Sequence, residues 1–104
     1  MKTETTKVIF RRWKELREVF ALFPAIPGTN DPSTCLCYAH MGQHSNANYD
    51  ACIKRSRHVF SRNPEVASLR RELERAGYVL KIGKVCSPSD YRKRCIQIIT
   101  SAIK

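Results

Sequence analysis

Four residues within seven positions carry side chains suited to holding a ligand: Tyr38, His40, Gln43 and His44. A tyrosine ring can stack on a base, an amide can read a base edge, and an imidazole can hold a phosphate or hydroxyl group. Alternation along a strand puts Tyr38 and His40 on one face, and Gly42 lets the chain turn so that Gln43 and His44 curl back toward them. The competing reading is a polar strand end whose side chains satisfy nearby backbone groups. Arg55, Arg57 and Arg62 follow within twenty residues. A guanidinium is a planar fork that matches phosphate oxygens two at a time. These three are therefore the expected phosphate holders for a ligand whose base or ribose the first four would read.

Two other chemistries use the same stretch. A metal site would draw on Cys35, Cys37, His40, His44 and Cys52. In a strand Cys35 and Cys37 point one way and His40 the other, so one ion cannot easily collect them. The spacing also lacks the paired cysteines that accompany paired histidines in a structural zinc site, although His40 and His44 alone fit the histidine spacing. Five cysteines, an odd number at apolar positions, predict reduced and buried thiols instead. A catalytic reading would pair Cys52 with His58 or use a histidine as base, but no nucleophile elbow, phosphate loop or metalloprotease motif accompanies them. The expectation is a binding protein with no enzymatic activity, no metal and no cofactor.

Charge points the same way. The 104 residues carry 19 Lys and Arg against 9 Asp and Glu, a net charge of +10. Residues 1–53 hold six basic and five acidic side chains, whereas residues 54–104 hold thirteen and four. A one-sided field of this kind attracts nucleic acid, phosphorylated small molecules or acidic protein surfaces. The N-terminal residues Met1 to Thr6 are polar, and no run reaches the roughly 18 apolar residues of a membrane span, which predicts a cytosolic protein.

The elements that must position these groups can be read from periodicity and punctuation. One domain is expected at this length. Residues 7–12 and 18–23 read as two strands of a hairpin, the second apolar on both faces as a central strand would be. Residues 24–32 form a loop rich in Pro, Gly, Asn and Asp. A third strand over 34–41 places Cys35, Cys37, Ala39 and Met41 on one face and Leu36, Tyr38 and His40 on the other. Residues 42–50 look polar and turn-like, and 51–60 fit neither helix nor strand clearly. Asn63 caps a helix with Pro64 at its first position, a stripe of Val66, Leu69, Leu73 and Ala76, and Gly77 as its stop. A strand follows from Tyr78 through Val85. Ser87, Pro88 and Asp90 then open a C-terminal helix with Tyr91, Cys95, Ile98 and Ala102 inward and Arg92, Lys93 and Arg94 outward. The predicted class is α+β, a small antiparallel sheet in the order β-β-β-α-β-α with helices on one face, residues 83–104 being a helical extension. Apolar side chains at Ile96, Ile98, Ile99 and Ile103 spread around the last helix, which predicts a homo-oligomer.

Several stretches together resemble a family of small uncharacterised proteins of bacteriophages and bacterial mobile elements. They are Val8-Ile9-Phe10-Arg11, Ala21-Leu22-Phe23-Pro24, Tyr38-Ala39-His40-Met41-Gly42-Gln43-His44, and Leu69 to Leu80 with Gly77-Tyr78. Where that family has glycine after the second histidine, this chain has Ser45. The resemblance implies an origin in such an element and no particular activity. The leading expectation is capture of an anionic ligand, foremost a phosphorylated nucleotide such as a host immune signal. The alternatives are a sequence-tolerant DNA- or RNA-binding accessory protein, or an inhibitor docking on an acidic host protein.

Overall fold

The computed structural model describes residues 5–15, 18–39 and 43–103. Among them six strands and three helices follow in the order β1 (Thr6–Trp13), β2 (Val19–Phe23), β3 (Thr34–Ala39), β4 (Gln43–Asn48), α1 (Tyr49–Lys54), β5 (Ser56–His58), α2 (Pro64–Arg75), β6 (Leu80–Gly83) and α3 (Pro88–Ile103). The α+β class expected from the sequence is borne out.

One sheet runs in the order β4-β3-β2-β1-β5, all neighbours antiparallel, with Phe10 opposite Ala21 and Leu22 opposite Cys37. The N-terminal half of β1 pairs on its outer side with β6, here in parallel, Val8 lying opposite Ile82. The C-terminal half of β1 pairs on that side with β5, Arg12 lying opposite Arg57. β5 and β6 therefore lie end to end and together form one lateral edge of the sheet. β4 forms the other.

Apolar side chains cover both faces of this sheet. Val8, Phe10, Val19, Ala21, Phe23 and Tyr38 pack against Val66, Leu69 and Leu73 of α2. On the opposite face Ile9, Phe20, Leu22, Cys35 and Cys37 meet Cys52 of α1, and Trp13 stacks on Phe20 at 4.0 Å. β2 is buried at every position because it is central and covered on both sides. The expected single helical layer is thus only half of the arrangement. α2 covers one face, while α1, which the sequence reading did not find, covers the other.

α2 forms as its caps dictate. The Asn63 side chain accepts the Glu65 N–H at 2.9 Å, Pro64 needs no partner for its nitrogen, and Gly77 leaves the helix at φ 107°. α3 opens on a reciprocal box, in which Ser87 Oγ accepts from the Asp90 N–H and Asp90 Oδ2 accepts from the Ser87 N–H. Lys7 Nζ reaches the same carboxylate at 2.5 Å and ties α3 to β1. That contact turns Asp90 and, one turn on, Arg94 toward the sheet. The expected outward orientation of Arg94 and inward orientation of Tyr91 are corrected accordingly: Arg94 is buried and Tyr91 is half exposed.

Candidate functional site

The residues proposed for one pocket fall into two groups at opposite edges of the sheet. Tyr38 lies in β3 and Gln43 and His44 in β4, with Tyr38 opposite His44 and Ala39 opposite Gln43. His40 lies outside the described residues. Arg57 lies in β5, Arg55 caps α1, and Arg62 precedes α2. β3 lies three and β4 four strand steps from β5, so at about 4.8 Å per step the strand-borne residues of the two groups are roughly 14–19 Å apart. They cannot grip one small nucleotide between them.

In the first group Tyr38 is packed into the core and His44 is exposed. Tyr38 is 4% exposed, and its hydroxyl donates to Glu72 Oε1 of α2 at 2.5 Å. That bond, with burial behind it, pushes the Tyr38 phenol up to about 12. The ring has Phe23, Leu69 and Leu73 in the same apolar layer and no face left for a base. His44 meets the Tyr38 ring edge-on at 4.8 Å and is hydrogen-bonded through Nε2 to the Tyr78 hydroxyl at 2.8 Å. These side chains fix the α2 C-terminus against the β4 edge. Cys35 and Cys37 lie on the other face, with Cys52, so the histidine and the thiols do not converge. Burial pushes the Cys35 thiol up to about 12 and the Cys52 thiol up to about 11, as suits protonated core thiols.

The second group sits on a different kind of surface. Segments 54–62 and 80–84, which build the β5–β6 edge, contain Lys54, Arg55, Arg57, Arg62, Lys81 and Lys84 and no acidic residue. All six basic side chains are exposed. Among them stands Phe60, 62% exposed. Its ring receives His58 edge-on at 5.3 Å, and the Arg62 guanidinium lies over it at 5.3 Å. A shallow depression beside it is lined by Val59, Phe60, Ile82 and Lys84. Beyond β6 the surface opens into a groove of about 830 Å³ between β6 and α3, edged by Lys81 and Lys93 with Thr6, Ser87 and Ser89. β1, which carries both edge strands, has eight residues, so the edge is about 26 Å long at roughly 3.3 Å per residue.

Arg55, Arg57 and Arg62, the expected phosphate holders, thus lie with this edge and not beside Tyr38 and His44. In the sequence Tyr49, Phe60 and Tyr91 are the candidate exposed aromatics among the basic residues, and the structure shows Phe60 exposed. The edge can hold a string of phosphates and stack a base on Phe60. Comparison with protein-family models, with curated proteins and with solved structures finds no match to this chain.

Proposed function

We propose that this chain is a non-enzymatic, sequence-tolerant binding protein for single-stranded nucleic acid, which runs along the β5–β6 edge. The observation that carries the reading is Phe60, an exposed ring bracketed by His58 and Arg62 on an edge whose two segments, 54–62 and 80–84, hold six basic and no acidic residues. Charges alone on an edge strand would serve to prevent strand addition by another chain. A phenylalanine does not serve that purpose, since an exposed apolar ring invites association. Rings set among cations are the usual platform for unpaired bases, which stack on any π-face while the backbone follows the positive groove. An accessory role on DNA or RNA in a host cytosol also suits the resemblance to phage and mobile-element proteins. Among the described residues no helix is long and apolar enough to cross a membrane.

A free nucleotide would use the same ring and arginines with far fewer phosphates. Fluorescence anisotropy separates the two. A labelled single-stranded oligonucleotide should bind with a steep salt dependence and resist competition by mononucleotides. Efficient displacement by a mononucleotide would instead favour the nucleotide reading. Binding of neither would leave the acidic protein partner as the origin of the charge.

A further inference from the structure

Arg94 of α3 is the sole buried basic side chain among the described residues, at 3% exposure. It lies in a cleft of about 530 Å³ lined by Ser33, Tyr49, Asp50, Cys86, Ser87 and Tyr91. Among the described residues Nη1 donates to the Thr34 carbonyl at 3.3 Å, Nη2 meets only the Cys86 sulfur at 3.6 Å, and Nε, itself buried, has no partner. Among the described residues no carboxylate comes within ion-pair distance. Asp90, one turn back, is taken up by Lys7 and the Ser87 N–H.

A buried cation without a counter-ion is costly, and natural structures satisfy such groups. Nε and Nη2 are moreover the side-on edge of the guanidinium, whose parallel N–H donors a carboxylate or phosphate accepts two at a time. In Arg94 that edge holds nothing but a weak sulfur contact. The Tyr49 and Tyr91 rings bracket the guanidinium at 5.8 and 5.2 Å and keep it from swinging away. Tyr49 Oη accepts the Cys86 N–H at 2.8 Å and Ser87 Oγ accepts the Asp90 N–H at 3.1 Å, which leaves both hydroxyl protons to donate into the cleft.

We infer that this cleft is a binding site for a small molecule bearing a carboxylate or phosphoryl group, two of whose oxygens take the Nε and Nη2 edge of Arg94. The site shares no residue with the β5–β6 edge and stands whether or not nucleic acid binds there.

The test is a proton–nitrogen correlation NMR titration with sodium acetate and with inorganic phosphate, against sodium chloride at equal ionic strength. Saturable shifts are expected at Cys86, Ser87, Tyr91 and the Arg94 Nε–H with at least one oxyanion. They should persist when Arg55, Arg57 and Arg62 are changed together to Ala and vanish in Arg94→Met. Should Arg94→Met not fold, Arg94→Lys keeps the charge without the fork and should weaken binding about tenfold or more. Absence of saturation in the unaltered protein, equal shifts with chloride, or affinity unchanged in the Arg94 variant that folds would overturn the assignment. An adventitious ion only, held at the edge, is indicated if the shifts disappear with the three edge arginines.

Discussion

Replacing Phe60 with alanine should cost binding far more than folding. Its ring is 62% exposed, so the apolar burial lost is a minor share of the roughly 1.5–3 kcal/mol that a fully buried phenylalanine contributes. The exposed contact with Arg62 adds on the order of 0.5–1 kcal/mol. The expected stability loss is therefore about 1–2 kcal/mol, a small part of a typical domain's 5–15 kcal/mol. Loss of one stacked base costs about 1–3 kcal/mol, which is roughly a 5- to 150-fold weaker affinity for single-stranded oligonucleotide. Anisotropy titrations at low salt with Phe60→Ala and Phe60→Trp, alongside thermal melts, measure both quantities. Phe60→Trp should bind at least as well as the unaltered protein, because indole offers a larger π-face. The reasoning is refuted if Phe60→Ala binds within about twofold of the parent, since even the low end of the stacking range exceeds that.

Tyr38→Ala should behave in the opposite way: it opens a cavity under α2 and removes the hydroxyl bonded to Glu72, costing about 3–5 kcal/mol, visible as a melting point more than about 10 °C lower. Oligonucleotide affinity of the folded fraction should not change. Asp90 supplies a pH dependence. Burial pushes its carboxyl up, but hydrogen bonds from Lys7 and Ser87 outweigh that and hold it below the usual carboxylate value of 3.8. Its contribution is thus complete above about pH 4 and is lost as pH falls further through the folded-state value. Asp90→Asn should lower stability at neutral pH by at least about 1 kcal/mol and flatten the acid limb of a pH–stability curve. Finally, Ile96 and Ile99 of α3 are 54% and 58% exposed, and packing of α3 against a second copy would cover them. Light scattering should report a dimer that Ile96→Glu with Ile99→Glu converts to monomer.

How much of this was legible depended on how strongly each segment's chemistry commits it to one face. α2 could be read almost to the residue, because Asn63, Pro64 and Gly77 mark its ends and Val66, Leu69 and Leu73 form an unbroken stripe. β1, β2 and β3 were legible from apolar runs and alternation. β4 was not: Gln-His-Ser-Asn-Ala-Asn has no apolar face, and it is a strand only because β3 offers it a free row of backbone partners. α1 and β5 are too short for a period to emerge, at six and three residues. The candidate pocket failed for a tertiary reason. Tyr38 and the arginines are near neighbours in sequence but end up strands apart, because β2 and β1 sit between β3 and β5. Arg94 was misassigned although a signal existed, since the Ser87–Asp90 box buries Asp90 and position 94 follows it on the same helical face.

The most direct test of the central claim is the salt dependence of oligonucleotide affinity. Log K plotted against log salt falls by about 0.7 for each single-strand phosphate neutralised. With six basic side chains along the β5–β6 edge, the slope should approach about −4. Changing Arg55, Arg57, Arg62 and Lys81 together to Ala should reduce its magnitude by about three units, nearly to that of a non-binder. A slope unaffected by these four changes, or a slope near zero in the unaltered protein, would contradict the account.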